Sequence, residues 1–431
     1  LIHLGAARAF LTEPSWGGMR AVEQLSMALA VAECSAAIWK VGDPADDILA
    51  ACADAFRLFE QIRGRWGVVA RSPIAPAAVL RMVLGELARL VAQIPTAANS
   101  KAGRMGLLIA LAAKQSGYAE LIRAERTLLD DSLGVLVEEI VKLEQTHDDD
   151  LQTDVEVRYL ADLRADLEHA SSPLLADIVL PQRVAIEPIL DCVRDCVTLD
   201  FVQLPLADGS EAWFRTTIEH AELVIFEELR MGEGYKILVE DDGSPQRQGL
   251  IDHLDSELAG RSRGWELAAD ELLPESVLER LRRPTSDRPL ELLISPHKKL
   301  SRIPWNALVV AVGVDDRRIR LIERAVVAQI PMLSALLESG AERVSGPALV
   351  WLAGDVANQL EQIAWGLDAD TLIANCEIPA DSHHVLGGSL SENLLSDRWG
   401  LAYVASHGSG DRLGQYIEAG EKLTAARALS L

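Results

Sequence analysis

Hydrophobic residues in the first two-fifths of the chain recur with the spacing of an α-helix. Between about residues 19 and 180, Ala, Leu, Glu and Arg are abundant, and apolar side chains return every three or four positions. Two sets with this spacing are Leu49, Cys52, Phe56 and Phe59, and Leu133, Val137, Ile140 and Leu143. The spacing puts each set on one helical face. It predicts an all-α domain of antiparallel helices over residues 1–185.

The spacing changes to that of β-strands after about residue 195. Val197–Leu204 and Ala212–Ile218 are rich in β-branched and aromatic side chains, and a turn-forming Ala-Asp-Gly-Ser sequence at 207–210 separates them. This combination is typical of a β-hairpin. The charged stretch that follows, from about Arg230 to Leu281, has helical character.

Short apolar strands alternate with helices in the remainder of the chain. The expected strands are Leu290–Ser295, Arg320–Glu323 with Val326–Ile330, Ala348–Ala353, Thr371–Cys376 and Leu401–Ser406. The expected helices are Met332–Glu338, Val356–Leu367 and Ser389–Leu395. This alternation indicates a doubly wound, mostly parallel sheet with helices on both faces. We therefore expect an α/β domain over residues 186–431, with its functional site beyond the carboxyl ends of the strands.

Composition and charge restrict the class of protein and of partner. Hydrophobic residues make up 49% of the 431 residues, enough for sizeable cores, and the net charge is −24. Phosphate backbones and anionic lipid headgroups repel such a chain, so we expect no nucleic acid contact and no membrane association. The longest uncharged apolar stretch, 325–337, is too short to cross a bilayer. Five cysteines, an odd number, fit a reducing cytoplasm better than a disulfide framework.

The strongest chemical candidate lies where the last apolar strand ends. Leu401–Ser406 runs directly into His407-Gly408-Ser409-Gly410. Such a strand would present His407 at the carboxyl edge of the sheet. Gly408 could bring its backbone N–H close to a substrate carbonyl, as an oxyanion hole requires. The alternative is an ordinary loop histidine before a flexible turn.

A second segment carries a resemblance to a known family. The strand at 292–295 leaves into a polar turn, and Ile303-Pro304-Trp305 then begins a short helix. We expect scaffold here and no chemistry from His297. The Leu-x-x-Ile-Pro-Trp-x-Ala-Leu pattern at 300–308 resembles the opening of CHAT domains, caspase-like cysteine peptidases often joined to tetratricopeptide repeats. Later motifs of that family resemble, in the same order, Leu360–Ala364, Val385–Ser389 with Leu394 and Leu395, and Tyr403–Gly408.

The resemblance covers about residues 186–431 and implies a caspase-like fold with a Cys–His dyad. His407 would activate the thiol and the Gly408 N–H would bind the oxyanion, without a metal or organic cofactor. The family's nucleophile lies on the following strand, whereas residues 423–431 resemble the helix before it. We therefore expect the cysteine beyond residue 431, no activity from residues 1–431 alone and, because residue 1 is Leu, a natural N-terminus upstream.

The function that the resemblance implies is cytoplasmic proteolysis in bacterial defence. The enzyme would be a cysteine endopeptidase acting on a protein substrate, and the helical domain would bind a regulatory protein partner. Restarts at Gly42 and Gly117 do not keep the tetratricopeptide period of about 34 residues, so true repeats and an irregular helical domain both stay open. A catalytically inactive scaffold for protein–protein contact, and an unrelated hydrolase using Ser409 or Cys376, also stay open.

The cysteines present are expected to be structural. They are Cys34, Cys52, Cys192, Cys196 and Cys376. Cys376 would end the strand before His407 rather than after it, and a buried cysteine of this kind usually packs in the core. The pair at 192 and 196 lacks further zinc ligands nearby. The first two are expected to pack within amphipathic helices.

Three other patterns are also expected to have no chemical role. The Gly-x-Ser-x-Gly sequence at 260–264 has no buried strand before it, as a nucleophile elbow requires. His383-His384 is expected in a polar loop. Trp213, Trp351 and Trp365 are expected in cores.

Overall fold

Helices form where the apolar spacing predicts them. The structure of the protein is a computed structural model. It describes residues 21–39, 45–66, 76–95, 100–124, 134–136, 138–139, 159, 162–163, 166, 185–219, 223–239, 262–283, 289–313, 317–340, 348–352, 383–386, 401–405, 407–411, 414–419 and 421–424. The longer α-helices are α1 (Ala21–Ile38), α2 (Asp46–Trp66), α3 (Pro76–Ala92), α4 (Ser100–Ala124), α5 (Glu187–Cys192), α6 (Glu233–Val239), α7 (Gly264–Leu272) and α8 (Glu275–Arg282).

Helix α2 confirms the first predicted apolar face. Leu49, Cys52, Phe56 and Phe59 all lie on it, and each is at most 7% exposed. The two phenylalanine rings stack with their centroids 5.9 Å apart. The second predicted face, with Leu133, Val137, Ile140 and Leu143, lies outside the described residues. None of the described helices is both long enough and apolar enough to cross a membrane.

The strands follow the order expected from the sequence, with additions and one correction: the predicted strand Arg320–Glu323 is wrong, because Leu321–Glu323 forms a 3₁₀-helix after a strand that ends at Arg320. They are β1 (Val197–Pro205), β2 (Glu211–Glu219), β3 (Leu223–Leu229), β4 (Leu290–Ser295), β5 (Val309–Val312), β6 (Arg318–Arg320), β7 (Ala325–Gln329), β8 (Ala348–Leu352), β9 (His383–Leu386), β10 (Leu401–Ala405), β11 (His407–Asp411), β12 (Gly414–Ala419) and β13 (Glu421–Thr424). The predicted strand Thr371–Cys376 and the predicted helices Val356–Leu367 and Ser389–Leu395 lie outside the described residues. The predicted helix from Met332 is a 3₁₀-helix, Leu333–Gly340.

Two compact units divide the chain. The first comprises residues 1–62, 72–115 and 183–337, and the second comprises residues 63–71, 116–182 and 338–431. Helices α1, α3 and most of α4 therefore belong to the same unit as strands β1 to β7. The assignment of separate functions to residues before and after 185 stays a prediction.

The first unit contains a five-stranded sheet with the order β3-β2-β1-β4-β7. Strands β1 and β2 form the antiparallel hairpin that the sequence predicts. Strand β1 also pairs with β4, and β4 with β7, in parallel. Strand β3, which the sequence analysis did not predict, pairs antiparallel with β2. The sheet is therefore mixed, with a parallel half, and its α/β class agrees with the prediction.

Strand β1 is buried on both faces because helices cover each side of the sheet. Val197, Leu199 and Phe201 contribute to a core with helices α6, α7 and α8. Successive side chains of a strand point to opposite faces, so Thr198 and Asp200 point the other way. A second core joins this unit's helix and sheet residues, among them Leu107 and Leu111 of α4, Ile218 of β2 and Leu293 of β4.

The second unit contains two small sheets. Strands β10, β8 and β9 are parallel in that order, and β11, β12 and β13 are antiparallel. Strand β9 corrects the prediction that His383-His384 lies in a loop, because both residues pair with β8. Residues 407–411, expected to be a turn, pair with β12. Residues 421–424 are extended where a helix was expected from 423.

Candidate functional site

A polar cluster lies at the carboxyl end of β4, buried between the sheet and helix α4. Asp200 of β1 and Ser295 of β4 are register partners in the parallel pair, and Ser295 is the last residue of its strand. Lys114 reaches them from α4. We call Lys114, Asp200 and Ser295 the Lys114 cluster. Both charged side chains are 0% exposed, and Ser295 is likewise 0% exposed.

The Lys114 ammonium group donates to oxygens from both strands. Its Nζ lies 2.7 Å from Asp200 Oδ1 and 2.6 Å from Ser295 Oγ. It also lies 2.9 Å from the Ser295 carbonyl oxygen and 3.3 Å from that of Pro296. An ammonium group has three N–H donors, so four acceptors at these distances satisfy it fully. The Ser295 hydroxyl in turn is 3.5 Å from the carbonyl oxygen of Pro331.

Burial and the Asp200 carboxylate act on Lys114 in opposite directions. Burial lowers the pKa of Lys114, and the neighbouring Asp200 charge and hydrogen bond partly offset this. Among the described residues, no donor reaches the second carboxylate oxygen, Asp200 Oδ2. A buried ion pair of this kind is stable only while both partners remain in place, because either charge alone would be left uncompensated.

Full burial determines what the Lys114 cluster can do chemically. A serine hydroxyl beside a lysine amine is the arrangement of a serine nucleophile and its base. A nucleophile must meet its substrate, and Ser295 is 0% exposed. The cluster is therefore a packed structural element and not an open serine–lysine active site.

His297 follows the cluster in the turn after β4. Its Nδ1 accepts the backbone N–H of Gln203 at 2.9 Å, so the neutral ring carries its proton on Nε2. Its ring lies edge-on to Trp213, with centroids 6.5 Å apart. Part of the residue is exposed, yet surrounding protein atoms, followed by Lys114 and Lys298, lower the pKa of His297 to about 3. At neutral pH it is an uncharged packing residue with an occupied nitrogen.

The next residue has an unusual backbone conformation. Lys298 has φ of 49°, the only positive φ of a non-glycine residue in the described part of the chain. Its ammonium group lies 2.9 Å from Glu211 Oε1 at the start of β2. A side chain in the left-handed region is disfavoured by contact of its Cβ with the backbone. The contacts of His297 with Gln203 and of Lys298 with Glu211 thus stabilise a turn whose backbone conformation is locally disfavoured.

The predicted catalytic residues lie in the second compact unit. Strand β10 runs parallel to β8 and ends at Ala405, two positions before His407. The backbone of His407 pairs with Glu418, and that of Gly408 pairs with Ile417. The Lys114 cluster belongs to the first compact unit.

Burial makes two of the four described cysteines poor nucleophiles. Cys52 is buried, and burial raises its pKa to about 12. Burial also raises the pKa of Cys196. Cys34 is exposed, which corrects the prediction that it packs in a core, and Cys192 is exposed as well. Cys376 lies outside the described residues.

The part of the chain that the structure describes contains no group of three or more His, Cys, Asp or Glu side chains able to hold a metal ion. Of the tryptophans expected in cores, Trp213 is 5% exposed, which confirms that prediction. The side chains of Trp351 and Trp365 lie outside the described residues.

The Lys114 cluster is the feature that the sequence analysis missed. A signal was present, because Lys114 interrupts the apolar run 107–113 and Asp200 interrupts the apolar strand 197–204. A charge at a position that periodicity assigns to a core needs a partner. Two such positions in one domain are candidates for pairing with each other.

Comparison with known proteins does not place the chain in a family. No protein-family profile matches it, and no curated protein sequence matches it.

Proposed function

We propose that the protein is a cysteine endopeptidase of the caspase-like CHAT type, cytoplasmic and acting on a protein substrate. In this proposal the second unit's parallel strands belong to a caspase-like, doubly wound sheet. The helices at the start of the chain would bind a regulatory protein partner. The proposal needs no metal and no organic cofactor.

The observation that carries the proposal is the position of His407 relative to a parallel strand. Strands β8 and β10 pair in parallel, and His407 comes two positions after β10 ends. Sites in α/β sheets lie beyond the carboxyl ends of their strands. A histidine at this point in the chain is therefore suited to act on a substrate lying along that edge.

The motif at 300–308 supports the same proposal from the first unit. Its apolar members Leu300, Ile303, Trp305 and Leu308 are at most 1% exposed. The Trp305 ring packs on Phe201 of β1 with centroids 5.2 Å apart. These four residues thus pack in the core beside the parallel strands β1, β4 and β7. A motif that specifies a fold is expected to have this role.

In the proposed reaction His407 first accepts a proton and later returns it. His407 accepts the proton of a cysteine thiol, and the thiolate attacks the scissile carbonyl carbon. The Gly408 N–H donates to the resulting oxyanion. His407 returns the proton to the leaving amine, and water then hydrolyses the thioester. The cysteine itself would lie after residue 431.

A second candidate function rests on the two described cysteines whose thiols burial makes poor nucleophiles, Cys52 and Cys196. A caspase-like fold without a reactive thiol would serve only for protein–protein contact. That scaffold is the alternative to the peptidase.

Hydrolysis of a peptide library by the purified full-length protein tests the proposal. We expect cleavage by the wild type in the presence of its activating partner, and at least a thousandfold loss in His407→Ala, because a dyad without its base leaves little thiolate catalysis. His253→Ala, a histidine from the predicted helical stretch, is the control and should retain activity. Undiminished turnover in His407→Ala would refute the dyad.

A further inference from the structure

Helix α4 crosses the sheet from its β3 edge to β4. Near its start, Gly103 lies against Val224 and Gly106 lies against Phe226, both of β3. Further along, Lys114 binds the ends of β1 and β4. The stretch from Gly103 to Lys114 rises about 16 Å. Three strand spacings, the distance from β3 to β4, amount to about 14 Å, so the two dimensions match.

The first part of the helix has no room to shift towards the sheet. A Cβ atom at Gly103 would lie 1.7 Å from the carbonyl oxygen of Val224. One at Gly106 would lie 2.1 Å from the Phe226 ring. The strand backbone at Gly103 and the Phe226 ring at Gly106 come so close to the helix that both positions require glycine. The helix is therefore held at β3 by close packing.

At β4 the helix is held by charge as well as by the apolar packing of Leu107 and Leu111 with Leu293. Lys114 binds one side chain of β1, the hydroxyl and carbonyl of Ser295, and the carbonyl of Pro296. The two carbonyls belong to the turn that leads from β4 to His297 and Lys298. We call residues 295–300 the β4 turn. Its Leu300 amide donates to the His297 carbonyl, 3.1 Å away, which gives a measurable protected proton.

These contacts can be made or lost only together. If α4 moves away from the sheet with its ammonium group, the Asp200 carboxylate and two backbone carbonyls lose their donor in a buried site. Buried polar groups left without partners are costly, and intermediate positions relieve none of that cost. Partial separation of α4 from the sheet is therefore disfavoured relative to the closed arrangement that the structure shows.

We propose that the Lys114 cluster is a conformational switch, through which helix α4 and the β4 turn open and close as one unit. A protein partner that displaces α4 would change the conformation of the turn at the carboxyl end of β4, and a ligand on that turn would hold α4 in place. Helix α4 is suited to this because it continues beyond Lys114 to Ala124. The proposal does not depend on peptidase activity.

Native-state hydrogen exchange of the full chain tests the proposal. In the wild type, amides between Leu107 and Lys114 and the Leu300 amide should exchange through one opening reaction, with the same opening constant and denaturant dependence. Ser295→Ala removes one hydrogen bond to the ammonium group and should raise exchange about tenfold in both segments equally. Lys101→Met is the control on the same helix, because Lys101 pairs with Asp46 at the surface, and it should leave both rates unchanged.

A double variant distinguishes coupling between α4 and the β4 turn from local packing within each segment. Lys114→Met with Asp200→Asn removes both charges, and we expect it to fold with the β4 turn exchanging at least tenfold faster than α4. If that variant does not fold, Ser295→Ala alone decides, because its effect must appear in α4 as well as in the turn. An effect of Ser295→Ala confined to the turn, or different opening constants in the wild type, would overturn the proposal.

Discussion

His297 should make the stability of the protein depend on pH in a range where most surface groups have little effect. Its imidazole accepts the Gln203 N–H at Nδ1, and protonation of Nδ1 would break that hydrogen bond. Burial, Lys114 and Lys298 lower its pKa from 6.5 to about 3. In the unfolded chain the same ring should titrate normally near 6.5. The unfolded state therefore binds a proton between pH 6.5 and about 3 that the folded state does not.

The sign and size of the effect follow from this difference. Because the folded-state pKa is depressed, the stability from His297 is fully present above pH 6.5 and is lost as pH falls towards 3. Between pH 7 and pH 5 the loss is about 2 kcal/mol, at about 1.4 kcal/mol per pH unit once the unfolded ring titrates. This figure depends little on the folded-state pKa as long as it lies below about 4.

Urea unfolding at pH 7, 6 and 5 measures the effect, with His297→Asn as the reference. The Asn Oδ1 can accept the Gln203 N–H but does not titrate. Carboxylates contribute equally to both proteins, so we expect the wild type to lose about 2 kcal/mol more than His297→Asn from pH 7 to pH 5. Parallel stability curves for the two proteins would show that His297 titrates normally in the folded state and that the described turn is wrong.

Two further substitutions test the backbone geometry. Lys298→Gly should be at least about 1 kcal/mol more stable than Lys299→Gly, because glycine tolerates the positive φ of 49° at position 298. The exposed ion pair of Lys298 with Glu211 contributes little, so its loss should not offset this difference. Equal stabilities of the two variants would contradict the described backbone. Gly103→Ala should lower the free energy of unfolding by about 2 kcal/mol or more, because the new Cβ would meet the Val224 carbonyl oxygen at 1.7 Å. Gly313→Ala is the control: its Cβ would have no atom nearer than 3.5 Å, so the free energy of unfolding should change by less than about 0.5 kcal/mol. Similar losses from both would contradict the close packing of α4 on β3.

The elements that sequence analysis predicted correctly are those with local causes. The β1–β2 hairpin has β-branched strands on either side of a turn with Gly209 at φ of 82°. Strand β4 is a mostly apolar run with the predicted bounds. Both signals are contained in a few neighbouring residues.

The features that were missed depend on distant partners. Strand β3 carries two glutamates, and Glu227 pairs with Arg215 of β2, a contact that periodicity cannot show. Strand β9 begins with two histidines, which look polar until β8 is beside them. In the Lys114 cluster, 86 residues separate Lys114 from Asp200 and 181 separate it from Ser295. Cys34 has helical spacing, but spacing alone does not say which face the fold covers.

Covalent labelling of the full-length protein by a peptide electrophile, read by intact mass and peptide mapping, tests the central proposal most directly. We predict one label on a cysteine that follows residue 431 in the chain, and loss of that label in His407→Ala while unfolding of the variant remains cooperative. An unlabelled wild-type protein, or equal labelling of the wild type and His407→Ala, would contradict a Cys–His peptidase.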